Sequence, residues 1–459
     1  MRNVLLRWVV LLWVPGLAGA AFRAAVVKVD ITPEGPQWLL GYDARQSKGV
    51  HDRIYHRIVA MHDGQTEFIL LSSELALISP GFYDELTSDL EREIGIRRSQ
   101  VWWTVTHTHS APEVGPPGLG VVFQGDRHTH VYDHAYTDRV KKSLIDGIKE
   151  AHAKLAPATL EVGTGMSLAN INRRARDPQG HILLGLNPYG PADRQIGLLR
   201  LKRLDGSVMA LIANYAMHGT VLWGKNLLIS GDAPGIVAAY VEEKLGAPML
   251  YINGAAGNMA PIYGGNGDFQ DSHIDEFNVM LGDRILAANR DMIPRAQAVR
   301  FITGEKVVET PRKKGLGWDE SLRDYLRATQ NGTALVRLPI RFLKISDEVV
   351  LWSLPVELFC EIAMRVRNQS PFAYTFYFGY ANGWLGYLPT QEAFAEEGYE
   401  VETSPFTDHA EADVTETVVT YLQSLVHYGP IMSSTPASTV LPPGGALDPA
   451  GVASRYQEK

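Results

Sequence analysis

The sequence predicts an α/β protein: a single large domain of mixed β-sheets with flanking helices. Two observations predict it. Strand-like apolar runs alternate with segments of helical period along most of the chain, with no internal repeat. Hydrophobic residues make up 45% and charged residues 20% of 459 residues, the balance of a chain that buries a core. Phe68–Ser73 is a continuous apolar run and reads as a buried strand. It is followed by Phe82, Leu86, Leu90 and Ile94 on one helical face, with Ser79-Pro80 as a start signal and Gly95 as a stop. Val101–Val105 is the next strand and runs into Thr106-His107-Thr108-His109. A helix from about Tyr136 to Lys154 carries Val140, Leu144, Ile148 and Ala151 on its stripe. Strands near Ile196–Leu201 and Val208–Tyr215 precede a helix over Asp232–Leu245, with Pro234 in its first turn. Met249–Asn253 is a strand ending in a Gly/Ala turn. Val349–Leu354 leads into a helix over Pro355–Arg367, Thr375–Tyr380 is strand-like, and a last helix covers about Val414 to His427.

Both ends of the chain read differently. Residues 1–20 carry Arg2 and Arg7, then an apolar run from Trp8 to Leu17, then Ala18-Gly19-Ala20, the three parts of a secretory signal. The expected organisation is a signal over 1–20, a catalytic domain over 21–428 and a Pro/Ser/Gly-rich disordered tail over 429–459. The expected location is therefore exported, periplasmic or extracellular, with no membrane span once the signal is cleaved. The net charge of −8 argues against a nucleic-acid partner. Cys360 is the sole cysteine, which excludes an internal disulfide; its apolar neighbourhood suggests a packed residue rather than a nucleophile.

Candidate chemistry gathers at strand exits. His107 and His109 are two apart, so in an extended segment both imidazoles face the same side, just past a strand. Imidazole is a common zinc donor, although a hydrogen-bonded histidine pair under a loop is the plainer account of a lone His-x-His. His218 follows Val208–Tyr215, Glu357 follows Val349–Leu354, and Tyr387 lies in the loop after Thr375–Tyr380. Singly, Glu357 is explained as a helix N-terminal charge and Tyr387 as a packed aromatic. Together they suggest one metal site. His128, His130 and His134 form a second, weaker cluster without acidic or cysteine partners at ligand spacing.

Several strings resemble the neutral/alkaline, non-lysosomal ceramidase family. They are Val29-Asp30-Ile31-Thr32-Pro33, Gly41-Tyr42, Thr106 to Pro112 (THTHSAP), Asn170-Ile171-Asn172-Arg173 and Ser230-Gly231-Asp232. Leu354-Pro355-Val356-Glu357 and the segment from Asn382 through Tyr387 to Tyr399 resemble it too. The resemblance runs in order from about Val29 to His427. It implies a zinc-dependent hydrolase that cuts the N-acyl amide bond of ceramide, a lipid-like substrate, by attack of metal-activated water, with transient contact to a membrane surface. It also implies His107, His218, Glu357 and Tyr387 as zinc ligands. His109 is implied as a catalytic residue beside the metal, and Arg173 and Tyr399 as groups that contact the reacting amide. This fits general chemistry: zinc brings a bound water's pKa to about 7, donors stabilise the oxyanion, and a free histidine moves the proton.

The chain departs from the family pattern where Gly257-Asn258-Met259-Ala260-Pro261 replaces Gly-Asp-x-Ser-Pro. The resemblance is to a short form without the C-terminal β-sandwich, with a shorter stretch between Ala260 and Glu357. These departures keep two alternatives open: a metal-dependent esterase or other hydrolase on the same scaffold, and a non-catalytic lipid- or ligand-binding relative. Trp223, Trp318 and Trp384 are candidate pocket linings, although buried tryptophan is more often core. Arg174 and Arg176 are candidates for reading an anionic group, with a solvated loop as the plainer account.

Overall fold

A computed structural model describes residues 22–124, 130–263, 273–330 and 332–426. The expected signal and tail, and His128, lie outside the described residues. The larger sheet has eight strands, in the order Met249–Asn253, Val208–Tyr215, Gln195–Arg203, Ala156–Met166, Arg23–Asp30, Tyr55–His62, Glu67–Ser73, Val101–Val105. Its inner pairs are antiparallel and its two outermost pairs are parallel. A five-stranded sheet contains Ile302–Pro311, Ala334–Lys344, Val349–Ser353 and Tyr374–Phe378, with Leu326–Ala328 at its side.

Side-chain alternation decides how the sheets meet. Leu70, Trp102, Ile212 and Ile252 project from one face of the large sheet onto Leu343, Leu351, Phe376 and Phe378 of the smaller. The opposite face of the large sheet is covered by helices Pro80–Ile94 and His134–Ala153 through Phe82, Leu86, Val140 and Leu144, and by Asp232–Leu245 through Val237 and Val241. Helices Cys360–Gln369 and Ala410–Ser424 cover the outer face of the small sheet. Mixed sheets with flanking helices are therefore the fold, in accord with the sequence.

Local chemistry explains the helix ends. Ser79 accepts from Phe82 N at 3.2 Å, and Gly95 closes the helix in a left-handed conformation at φ 72°. Asp133 caps the next helix by accepting from Tyr136 N at 3.0 Å, so that helix starts at His134, two residues before the expected Tyr136. The expected helix over Pro355–Arg367 begins only at Cys360. Residues 355–359 stay out of the helix because Glu357-Leu358 pairs in parallel with Tyr387-Leu388, and Asn258 Oδ1 accepts from Cys360 N at 3.0 Å to start the helix there. The last helix runs Ala410–Ser424 rather than from Val414, and the strand expected over Thr375–Tyr380 ends at Phe378.

Tyr55–His62 places His56 in the core. Its ring meets Ser73 Oγ at 2.6 Å and Val140 O at 3.3 Å, and burial pushes the imidazole down to about 4. The unfolded chain therefore binds this proton from about pH 6.5 downward while the folded chain resists it. Stability from this group is full above about 6.5 and falls toward pH 4, on the order of 3 kcal/mol at the limit. Asp232, whose buried carboxyl is pushed up to about 6, acts in the opposite sense. We therefore expect His56→Gln to lose less stability than wild type between pH 7.5 and 5 in parallel urea titrations. Identical losses in the two proteins would exclude His56 as a source of acid sensitivity.

Candidate metal centre

His107 and His218 leave two strand ends that Asn253 ties together. Its Nδ2 donates to Thr106 O at 3.2 Å and to Met217 O at 2.9 Å, while its Oδ1 accepts from Met217 N at 3.1 Å. The turn after the first strand is tight: His107 has φ 63°. Trp223, Asp232, Tyr380 and Asn382 are also non-glycine residues at positive φ, so five of the seven such residues described belong to the segments around this site. Each such conformation costs roughly 1–3 kcal/mol and persists only where its surroundings enforce it. Asn382 illustrates this: its Oδ1 accepts from Trp103 N and its N donates to Trp103 O, both at 2.7 Å.

The imidazole tautomers follow from their partners. His107 Nδ1 lies 2.9 Å from Ala76 O and His218 Nδ1 lies 3.1 Å from Met259 O. Carbonyl oxygens only accept, so both Nδ1 atoms carry hydrogen and each neutral ring turns a bare Nε2 inward. Glu357 Oε2 lies 3.3 Å from His107 Nε2 and 3.1 Å from His218 Nε2. Burial, then the Arg173 cation, push His218 down to about 3, so it does not bridge as imidazolium. Three acceptor atoms thus converge in a buried place, and none of the three carries a hydrogen of its own to bridge to the others. A cation is what such a donor set accommodates.

The rest of the shell orients these groups. Trp384 Nε1 donates to Glu357 Oε1 at 2.9 Å, Tyr380 donates to Glu357 Oε2 at 3.2 Å, and the Tyr380 ring stacks on His107 at 4.2 Å. Tyr387 is the strand partner of Glu357 and is buried. Burial pushes its phenol well above the ordinary tyrosine value, with Arg173 pulling the other way. His109 Nε2 lies 3.1 Å from His107 Nε2, and His107, His109 and His218 together could hold a metal ion. His109 is only half-buried, and burial, with His107 and His218, pushes its ring well below 6.5, which keeps it neutral.

Arg173 Nε donates to Glu400 Oε1 at 2.8 Å, and Glu400 Oε2 accepts from Arg174 Nη1 at 2.8 Å. Arg173 Nη1 donates to His218 Nε2 at 2.9 Å, so the guanidinium and a metal compete for that lone pair. The guanidinium lies 5.4 Å from the Tyr387 ring and 5.9 Å from that of Tyr399, which is 36% exposed and forms the open side. All seven residues singled out from the sequence are therefore gathered here. Tyr380, Glu400 and Arg45 were not foreseen. Arg45 donates to the His109 and Asn226 carbonyls and so holds the backbone that presents His109. Their one signal was adjacency to named residues, as Glu400 follows Tyr399.

Other expectations resolve differently. Arg174 and Arg176 lie in the strand Asn170–Arg176 rather than in a loop; Arg174 is drawn inward by buried Glu400, while Arg176 stays exposed and pairs with Glu396 at the surface. His130 pairs with Glu113 at 2.6 Å and stacks on Trp38, while His134 opens a helix. Among the described residues, the metal-capable histidine group is the one above. Trp318 Nε1 bonds Leu322 O against the outer core, and Trp223 leans on Tyr42. Cys360 is buried, and burial, with Glu361, pushes its thiol well above its usual value.

Residues 22–261, just over half of the chain, match the family described as neutral/alkaline non-lysosomal ceramidase, N-terminal. The chain belongs to the neutral/alkaline ceramidase family. Neutral ceramidase of Mycobacterium tuberculosis is 28% identical over 233 residues, 47% of this chain and 35% of that protein. Neutral ceramidase of Pseudomonas aeruginosa is 25% identical over 275 residues, 54% of this chain and 39% of that protein. These sequence matches thus span little more than a third of the length of each of the two ceramidases. The crystal structure of the Pseudomonas aeruginosa neutral ceramidase superposes with a TM-score of 0.72 at 18% identity, covering 91% of this chain and 76% of that one. A ceramidase complexed with C2 superposes with a TM-score of 0.73 at 18% identity, over 91% of this chain and 77% of that one. The ceramidase fold is shared over nearly the whole described chain.

Proposed function

We propose that this chain is a zinc-dependent hydrolase that cleaves the N-acyl amide bond of ceramide or a related N-acylated amphiphile. The observation that carries this reading is the convergence of His107 Nε2, His218 Nε2 and Glu357 Oε2, within 3.1–3.3 Å across the carboxylate. These three, with Tyr387, form a nitrogen and oxygen donor set suited to zinc. When bound, zinc supplies Lewis acidity that brings a water's pKa to about 7 and polarises a carbonyl.

The remaining chemistry falls to side chains. His109, neutral and half-buried, accepts a proton as water adds to the acyl carbon, then gives it to the leaving nitrogen as the carbon–nitrogen bond breaks. The products are a carboxylic acid and an amine. Arg173, held cationic by Glu400, and Tyr399 on the open side donate to the carbonyl oxygen as it gains charge. Family membership supports the amide and the lipid-like substrate; export and transient membrane-surface contact complete the reading. No helix among the described residues is long and apolar enough to cross a membrane.

Zinc-loaded protein should release fatty acid from N-acyl sphingosines, stop when a chelator is added and resume when zinc is restored. The same assay should include other N-acyl amides and acyl esters. Cleavage of esters alone would move the assignment to an esterase. Bound zinc with no turnover across the panel would leave a ligand-binding role.

A further inference from the structure

Gly41 and Tyr42 bracket His109. Gly41 has φ 109°, and a Cβ there would lie 2.4 Å from His109 Cγ, so the main chain presses directly on the imidazole. The Tyr42 ring meets the same imidazole edge-on at 4.9 Å and Trp223 at 5.6 Å. The Arg45 guanidinium lies 4.8 Å from the centre of the Tyr42 ring, and a Cβ at Gly224 would be 3.3 Å from Tyr42 Cγ. The ring is therefore held by four neighbours. Its hydroxyl is not: Tyr42 Oη is buried and has no hydrogen-bond partner. Asp232, Arg45, Arg173 and Tyr399 are its electrostatic neighbours, and none of them bonds it. Arg173 Nη2, which can only donate, is buried and unbonded as well.

An unbonded buried phenol destabilises a fold unless something else uses it. Here it stands beside the proposed proton carrier, on a ring that cannot turn away. We propose that the Tyr42 hydroxyl contacts substrate, hydrogen-bonding a hydroxyl of the amino-alcohol portion of an N-acyl amino alcohol. This rests on the amidase reading above. A phenol both donates and accepts, which suits an alcohol partner, whereas a carbonyl needs only donors and Arg173 supplies those. Tyr42 thereby selects amides of amino alcohols over amides of plain alkylamines.

The test is Tyr42→Phe in the zinc-loaded full chain, which keeps the ring and removes one oxygen. Without substrate, the variant should melt no lower than wild type, because the hydroxyl contributes no bond to the fold. A lower melting temperature would overturn the proposal by showing the hydroxyl bonded internally. With N-acetylsphingosine, kcat/KM should fall about tenfold, the worth of one hydrogen bond, and with an N-acetyl alkylamine it should not change. Equal values for both proteins on N-acetylsphingosine, or an equal fall on both substrates, would overturn it. If wild type cleaves neither compound, the amidase reading fails, and calorimetric binding of N-acetylsphingosine decides the matter. A Kd about tenfold weaker in the variant supports the contact. An unchanged Kd, or no binding to wild type, rejects it.

Discussion

His218→Ala is expected to lose bound zinc and amide hydrolysis together. The imidazole is fully buried, its Nδ1 is committed to Met259 O, and its Nε2 stands 3.1 Å from Glu357 Oε2. Alanine removes one of two nitrogen donors. Loss of a group that merely orients a ligand typically weakens metal affinity by about 10–100-fold, so loss of a ligand should exceed that. Metal content by mass spectrometry after dialysis, read beside activity, checks both halves. A His218→Ala protein that keeps one zinc and full turnover would remove this residue from the centre.

His109→Ala should separate what His218→Ala couples. His109 is half-buried, and His107, two residues earlier, takes the position within ligand reach of Glu357. The variant should retain about the wild-type zinc content while kcat falls by about 10²–10⁴-fold, the usual worth of a positioned proton carrier. KM should change little, because the lost interaction belongs to the reacting state rather than to binding. If His109→Ala emptied the metal while His107→Ala kept it, the roles within the pair would be exchanged.

Much of the architecture was readable where one physical effect dominates. Phe68–Ser73, Val101–Val105, Val208–Tyr215 and Met249–Asn253 are apolar because both of their faces are covered, and the structure places strands there. Tyr55–His62 escaped notice because Arg57 interrupts it. That guanidinium is buried only because Glu74 and Glu242, 17 and 185 residues away, neutralise it. Ala156–Met166, with its two internal glycines, carries no strong strand signal either, and it is held by Gln195–Arg203 on one side. At the candidate site the histidines, Glu357 and Tyr387 were singled out by their place after strands and by family likeness, and the structure brings them near one another. Glu400 was not: its role is to grip Arg173 and Arg174 from 227 and 226 residues away, and no local pattern records such a contact.

Asn258 ties two positions into one unit. Its Oδ1 takes the Cys360 amide and its Nδ2 gives a hydrogen to Glu361 Oε2 at 2.7 Å. An aspartate at 258 would set two carboxylates face to face at the mouth of that helix, a like-charge clash in a partly enclosed place. Position 258 is therefore not free to take an acid alone. Exchanging the amide for a carboxylate calls for a neutral partner at 361, so the two side chains behave as one electrostatic unit.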